Sequence, residues 1–392
     1  MDKYNIKTYN SIATLGLEKI KHCGLSIDTE KKANAILLRS HKLSIEEIEE
    51  SVYGIFRAGA GTNNIPIDYC TSEGIAVFNT PGANANAVKE LVILSILVSS
   101  RNIFRAKNSL IKIGHLQSDP FKVEVENLKK EFVGTEIKGR TIGIIGLGKI
   151  GSLVAESCIL LGMNVIGYDP VISVDSAWKL PSAIVKASSI EQLVELSDFI
   201  SLHLPLNSST KNIFNLNLFS KINKDAVLLN FARQEIVDEK VLDTYLKTKK
   251  IKYYVTDFPS PDLLSLDNVI CFPHLGASTS SAEENCAMMS AEQIIKFLVD
   301  GEIFNSVNFP DTTLKRESSY RLTLVNKNTP NMVGQITSEL AKHGINIHNM
   351  INKSKGDLAY NILDLDSSLN DEVLSSLIKI NGITKVRYIP DE

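Results

Sequence analysis

The run Gly146-Leu147-Gly148-Lys149-Ile150-Gly151 constrains this chain more than any other feature, because of what stands on either side of it. Before it, Thr141-Ile142-Gly143-Ile144-Ile145 reads as a short β-branched strand, and after it Ile150 to Leu161 reads as a helix. A GxGxxG by itself is weak, since glycine is common in turns. Between a strand and a helix its three glycines have separate uses: the first permits a tight turn, the second lets backbone approach a pyrophosphate, the third lets helix pack on strand. The helix N-terminus adds N–H donors and partial positive charge. A second strand runs into Gly167-Tyr168-Asp169-Pro170, setting an acid 18 residues beyond Gly151. A carboxylate there accepts from both ribose hydroxyls and repels a 2′-phosphate, so NAD is the expected cofactor. The bland alternative, a glycine turn with a strand-end cap, does not account for the whole arrangement.

The rest of the chain fits such a unit. After Thr141–Ile145, strand candidates follow at Asn164–Ile166, Phe199–Leu202, Ala226–Leu229, Tyr253–Val255 and Asn268–Ile270, with helical stretches between them. Six parallel strands complete a Rossmann-type doubly wound sheet. Upstream, Ile36–Leu38, Gly54–Phe56 and Ala76–Phe78 read as strands of a second, flavodoxin-like α/β domain. The stretch Asn86–Ser99 is apolar almost all round and is expected to be buried on every side. The composition changes near Asn305–Pro310, and Asp311–Ser319 reads as a polar linker. Residues 320–392 then show the order βαββαβ, a ferredoxin-like split fold. The expected domains are 1–98 with 283–310, 99–282, and 319–392.

Composition excludes several classes. Lys and Arg number 42 against 45 Asp and Glu, a net charge of −3, so no basic excess exists to neutralise a nucleic-acid backbone. Five cysteines without CxxC or Cys/His spacing exclude a disulfide scaffold and a structural zinc site, and no metal is expected. The start MDKYNIKTYN lacks the apolar core of a signal peptide. The longest apolar stretch, Leu91–Val98, is far short of the roughly 20 residues that span a bilayer. A cytoplasmic protein without membrane contact is expected.

Three more sites fall at strand ends, where open α/β sheets bind ligands. Asn230-Phe231-Ala232-Arg233 ends one strand, Asp257 ends the next, and His274 follows the last in Phe272-Pro273-His274-Leu275-Gly276-Ala277-Ser278-Thr279. Oxidising a 2-hydroxy acid needs a cation for the carboxylate and carbonyl, and a base for the hydroxyl proton. Arg233 suits the first because its planar fork is always charged and matches a carboxylate bidentately. His274 suits the second because imidazole titrates near working pH. Taken singly, each has a bland reading as surface charge or core histidine; their joint placement reverses it.

These motifs resemble the D-isomer-specific 2-hydroxyacid dehydrogenases. GLGKIG…GYDP, NFARQEIVD and PHLGAST carry the resemblance, with Arg57-Ala58-Gly59-Ala60-Gly61-Thr62-Asn63-Asn64-Ile65 and Asn79-Thr80-Pro81-Gly82 upstream. A C-terminal ACT-type module joined to them looks like the branch of that family that oxidises 3-phospho-D-glycerate with NAD. The resemblance implies that Arg233 holds the substrate carboxylate and carbonyl and that His274 is the acid/base. Arg57, Ala58 and Gly59 face the substrate, with Gly59 amides on its carboxylate. The resemblance also implies cofactor contacts from Ile150 at the glycine loop, Asp169 on the ribose, His203 and Pro205 on the adenosine side, Ala232 and Asp257 near the nicotinamide, and Gly276; the bland reading of His203 and Pro205 is a strand-end turn. In the family the histidine pairs with a glutamate a few residues beyond the strand-end aspartate. Here Asp262 stands at that place, one methylene shorter. Gln234-Glu235 stands where two glycines usually follow the arginine.

A phosphate at the far end of the substrate needs cations. Arg39 and Arg57, each after an apolar strand, are the candidates, while Lys129-Lys130 reads as solvated charge. In ACT modules of this branch the first strand–helix loop and the following strand clasp L-serine. Asn326, Asn328 and Asn346 fall at those places, and their amides could meet both ends of an amino acid; their bland reading is turn and cap residues. Asn331 stands where glycine usually follows the proline. A serine-regulated homodimer or homotetramer is expected. The competing readings are a reductase of another 2-keto acid, of glyoxylate or pyruvate type, and a non-catalytic NAD-sensing binding module.

Overall fold

The computed structural model describes residues 4–391. They form two compact units: one made of the chain up to Asn84 together with everything from Ser280 onward, the other Ala85–Thr279.

The first unit begins with a parallel sheet of β1 (Asn5–Thr8), β2 (Ser26–Ile27), β3 (Ala35–Leu38), β4 (Gly54–Arg57) and β5 (Ala76–Phe78), in the order β2-β1-β3-β4-β5. Alternate strand residues point to opposite faces. Leu37, Phe56 and Phe78 meet the helices Thr14–His22 and Ser280–Asp300, while Ile36, Leu38, Ile55 and Val77 meet Leu43, Ile48 and Val52. Burial on both faces explains why β3–β5 read as continuous apolar runs. The strands β1 and β2 lack that signal. In β1 the buried Asn5 uses its side-chain amide to hold the carbonyls of Asp28, Lys31 and Lys32.

The second unit holds a seven-stranded parallel sheet. Its strands are β6 (Thr141–Ile145), β7 (Asn164–Tyr168), β8 (Val185–Lys186), β9 (Phe199–Leu202), β10 (Val227–Asn230), β11 (Tyr253–Thr256) and β12 (Val269–Cys271). The order β12-β11-β10-β9-β6-β7-β8 reverses direction between β6 and β9, the switch point of a doubly wound fold. Six of these strands are the expected ones. The seventh, β8, is two exposed residues long and offers no apolar run to read. Val227 and Leu229 pack with Val88, Val92 and Ile96 on one face, and Leu228 packs with Leu193 and Leu242 on the other. Each such fully buried aliphatic side chain is worth about 1.5–3 kcal/mol. The helix Ala85–Arg101 is not buried all round: Leu94 and Leu97 are exposed, 46% and 39%. Apolar composition alone offers no stripe from which to tell its outer side.

The chain from Ser280 completes the first unit. Residues 320–390 form the expected βαββαβ order, with β13 (Tyr320–Lys327), β14 (Ile347–Lys355), β15 (Leu358–Leu365) and β16 (Ile383–Pro390) in an antiparallel sheet β14-β15-β13-β16. The helices Met332–Lys342 and Asp371–Ile378 cover one face through Ile336, Leu340, Val373 and Leu377. The other face turns Val325, Tyr360 and Ile362 into the core that contains Phe56, Phe78 and Phe297. The polar segment before β13 is tied down rather than loose: Arg316 donates to the carbonyls of Val299, Ser318, Ser319 and Ile389. Asn331 takes φ = +66° at the start of its helix, a left-handed position that asparagine tolerates better than other side chains and that glycine fills without cost.

Candidate active site

The ends of β6, β7 and β9–β12 build the site of the second unit. After β6 the chain turns at Gly146, whose φ is +92°. A Cβ there would stand 2.4 Å from the His203 carbonyl oxygen, and one on Gly151 would stand 2.0 Å from that of Gly146. Above Gly148, by contrast, no heavy atom lies within 4 Å of a Cβ position. The helix Lys149–Leu160 starts immediately beyond, with half-buried Ile150 in its first turn and no side chain capping its first amides. Donors without an internal partner, next to a glycine over which a ligand can approach, fit a pyrophosphate.

Asp169 ends β7 with its carboxylate fixed: Oδ2 accepts the Leu147 amide at 2.9 Å and Oδ1 that of Val171 at 3.1 Å. Its acidic face is thus held against the glycine loop. His203, after β9, pairs its Nε2 with the buried Ser201 hydroxyl at 2.8 Å, and burial pushes the imidazole down to about 4. It is neutral at pH 7. Pro205 is exposed, and its carbonyl accepts the Thr210 hydroxyl.

The end of β10 is organised by a residue to which no motif assigns a role. Asn230, fully buried, accepts the Ala232 amide at 3.1 Å and donates to the Arg233 carbonyl at 2.9 Å. The Thr256 hydroxyl donates to the Asn230 carbonyl at 2.9 Å and accepts the Phe258 amide at 3.1 Å, locking the ends of β10 and β11 together. A polar residue closing an apolar strand is the signal that sequence offers for it. Arg233 leaves this staple in extended backbone, with Nη1 donating to the Ala232 carbonyl at 2.6 Å. Gln234 and Glu235 lie in a single 3₁₀ turn, and neither has positive φ, so their place does not require glycine.

Asp257, 2% exposed, stands at the centre. Oδ2 accepts the Gly276 amide at 2.9 Å, while Oδ1 is buried without a partner. Burial raises this carboxyl above its ordinary range, opposed by the Gly276 amide and by the charges of His274 and Arg233. The structure therefore gathers Arg233, Asp257, His274 and Gly276 into one electrostatic neighbourhood. The orphaned Oδ1 calls for a donor, and a nicotinamide carboxamide is one.

His274 has φ = +35°, is exposed, and packs its ring against Phe258 with centroids 5.2 Å apart. Asp262 is not brought to it. That residue sits exposed on the short helix Pro261–Leu264, and its charge acts on Lys247. Among the described residues, no carboxylate ion-pairs with the His274 ring. Asp262 stands in the first turn of the helix that Pro261 opens, a position set by that helix rather than by the count from Asp257.

In the first unit Arg39 is ion-paired with Glu283 at 2.8 Å. Arg57 arches over Gly59, its Nε on the Arg39 carbonyl at 3.0 Å and its Nη1 on that of Gly61. Ala58 is buried and its amide donates to Leu38; the Gly59 amide turns inward to the Arg57 carbonyl at 2.8 Å. Of the three asparagines, Asn326 is buried and spent, donating to the Lys327 carbonyl and accepting from Asn361. Asn328 and Asn346 are exposed, the first with its amide on the Gly356 carbonyl at 3.1 Å.

These features define an NAD-binding dehydrogenase of the 2-hydroxy-acid class, and residues 95–276 match the family model described as the D-isomer specific 2-hydroxyacid dehydrogenase, NAD binding domain. The chain is 32% identical over 379 residues to D-3-phosphoglycerate dehydrogenase of Haemophilus influenzae, covering 92% of this chain and 87% of that one. To the enzyme of the same name in Methanocaldococcus jannaschii it is 35% identical over 368 residues, covering 91% of this chain but 66% of that one. The NAD+-bound 3-phosphoglycerate dehydrogenase of Entamoeba histolytica superimposes with a TM-score of 0.62 at 29% identity, over 78% of this chain and 98% of that one. The chain belongs to the D-3-phosphoglycerate dehydrogenase family.

Proposed function

We propose that this chain oxidises 3-phospho-D-glycerate to 3-phosphohydroxypyruvate, with NAD as the oxidant. The observation that carries the reading is the clustering of Arg233, Asp257 and His274 at adjoining strand ends beside the glycine loop. Bound NAD supplies the hydride acceptor. Gly148 and the first amides of the following helix would hold its pyrophosphate, Ile150, Asp169, His203 and Pro205 its adenosine side, and Ala232, Asp257 and Gly276 its nicotinamide end.

The protein's own groups manage the proton and the charges. Arg233 binds the substrate carboxylate and polarises the C2 oxygen, with its turn held rigid by Asn230. His274 takes the hydroxyl proton on its imidazole. Asp257 adds negative charge near that imidazolium, which favours it. Ala58 and Gly59 align the substrate, and Arg39 and Arg57 take its phosphate, Arg39 by exchanging its bond to Glu283.

The C-terminal βαββαβ domain is read as an ACT-type regulatory module that binds L-serine through Asn328 and Asn346, with Asn326 stiffening the strand beneath. Control by serine then requires differential affinity for two states of the enzyme. Self-association into a homodimer or homotetramer is supported by exposed Ile103, Phe104, Leu110 and Ile111 on one amphipathic helix. A cytoplasmic location belongs to the same reading. No helix among the described residues is long and apolar enough to cross a membrane.

The test is a panel of D-2-hydroxy acids followed at 340 nm, with and without L-serine. The expected result is NADH production with 3-phosphoglycerate well above D-glycerate or D-lactate, reduced by L-serine and not by D-serine. Preference for D-lactate or glycolate overturns the substrate assignment, and no response to L-serine removes the effector.

A further inference from the structure

Two cations of β16 lie under the C-terminal sheet, and no acid among the described residues pairs with either. Lys385 and Arg387 are two residues apart on one strand and so share a face. Both line a half-open cavity of about 20 Å3, the size of one small ion or water, whose walls include Tyr53, Phe297, Phe309 and Tyr360. Arg387 is 6% exposed. Its guanidinium lies 4.4 Å from the Phe297 ring centre and 5.2 Å from that of Tyr53, and Nη2 donates to the Phe297 carbonyl. Its Nη1 is buried with no hydrogen-bond partner.

Lys385 donates to the Val52 carbonyl at 2.7 Å and to that of Glu50 at 3.3 Å, beside the Tyr53 ring. Burial disfavours its charged form, and the positive charge of Arg387 adds to this. Glu50 and Glu73 oppose it only through space, from exposed positions. The other cations nearby are Arg316 and Arg321. Arg321 has its own buried carboxylate in Asp364, and Arg316 pairs with Asp391. The phenols of Tyr4, Tyr53 and Tyr360 bring no charge at neutral pH; burial raises those of Tyr4 and Tyr360.

Carbonyl oxygens satisfy hydrogen bonds here but do not balance the charges of a buried arginine and a half-buried lysine. A water at Nη1 would do no more. A charge taken out of water is stable only when paired and fully hydrogen-bonded. We propose that this cavity binds a small monovalent anion of halide size, held by the Nη1–H of Arg387 and the field of Lys385, and that the anion fastens the C-terminal domain to the first parallel sheet. The walls suit an anion, because an unpaired guanidinium N–H gives it a charge-assisted hydrogen bond.

Thermal unfolding of the full chain tests this, with sodium gluconate replaced stepwise by sodium chloride at constant ionic strength. The midpoint is expected to rise by about 2 °C and saturate, as for any ligand that binds only the folded state. The rise should vanish in Lys385→Met and in Arg387→Met. Should the deeply buried Arg387 variant fail to fold, the half-buried Lys385 variant decides. In bromide-soaked crystals an anomalous peak should lie within hydrogen-bonding distance of Arg387 Nη1. A flat chloride response in the wild type, a response undiminished in Lys385→Met, or bromide absent from the cavity overturns the proposal.

Discussion

The backbone amide of His274 donates to the carbonyl oxygen of Asp257 at 3.0 Å, so the residue assigned to proton transfer hangs from the residue whose buried carboxylate lies beside it. The link is made by main chain. Side-chain substitutions at His274 should therefore leave the strand end intact. For His274→Asn we expect NAD affinity close to wild type and turnover reduced about 10²- to 10⁴-fold, the usual worth of a positioned acid/base. Fluorescence titration with NADH beside steady-state rates checks both halves.

Asp262 and Asp257 are expected to separate in their pH profiles. Asp262→Ala should leave the profile of kcat/KM unchanged, because that carboxylate is exposed and makes no ion pair with the imidazole. Asp257→Asn removes a negative charge near the imidazole, and the limb carried by the acid/base should move to lower pH. A shifted profile in Asp262→Ala would return the pairing role to Asp262.

Cofactor choice rests on Asp169. Exchange for Ser removes the charge that opposes a 2′-phosphate and also two acceptors for loop amides. The expected outcome is a higher KM for NAD and measurable turnover with NADP, read from initial rates with each cofactor.

His203 makes stability pH-dependent on the acid side. Its folded-state value is pushed down to about 4, against about 6.5 in an unfolded chain. Between those values the unfolded state binds more protons. Stability from this residue is thus complete above about pH 6.5, falls as pH drops through the window, and levels off below 4. Urea melts of wild type and His203→Gln at pH 7 and pH 5 should show a smaller loss in the variant.

Arg321 and Asp364 are direct cross-strand partners on β13 and β15, both side chains fully buried, with Nε–Oδ1 at 2.7 Å and Nη2–Oδ2 at 2.9 Å. Asp364→Ala leaves a buried guanidinium uncompensated and should cost about 3–5 kcal/mol. The double exchange Arg321→Met with Asp364→Leu should recover most of it. Denaturant midpoints of the three proteins decide.

Much of this architecture is legible from residues alone, for physical reasons. Strands covered on both faces, such as β9 and β10, announce themselves as apolar runs, and Gly146 to Gly151 gains its meaning from the strand before it and the helix after it. What stays hidden depends on direction rather than identity. Counting from Asp257 reaches Asp262 but cannot see that it stands exposed on a short helix starting at Pro261. Asn230 shows in the sequence only as a polar residue closing an apolar strand, because its partners, the amide of Ala232 and the carbonyl of Arg233, become neighbours only once the turn has formed. Arg57 shows its charge in the sequence, but not that its Nε and Nη1 hold the carbonyls of Arg39 and Gly61.

The interrupted course of the first unit bears on how the molecule is made. Residues Ala85–Thr279 are contiguous, so the nucleotide-binding unit can fold as soon as it has left the ribosome. The earlier sheet cannot. Its covering helix Ser280–Asp300 is translated after that whole unit, and the Thr14–His22 helix packs so closely on it that a methyl group on Gly16 would stand 2.7 Å from the Ala287 carbonyl oxygen. Until that helix arrives, Phe56, Phe78 and Ile20 lack their cover, and contacts so remote in sequence form slowly. Nascent chains halted before Ser280 should therefore yield a protease-resistant core from the nucleotide-binding unit and none from the first 84 residues, which makes this segment the one most in need of a chaperone.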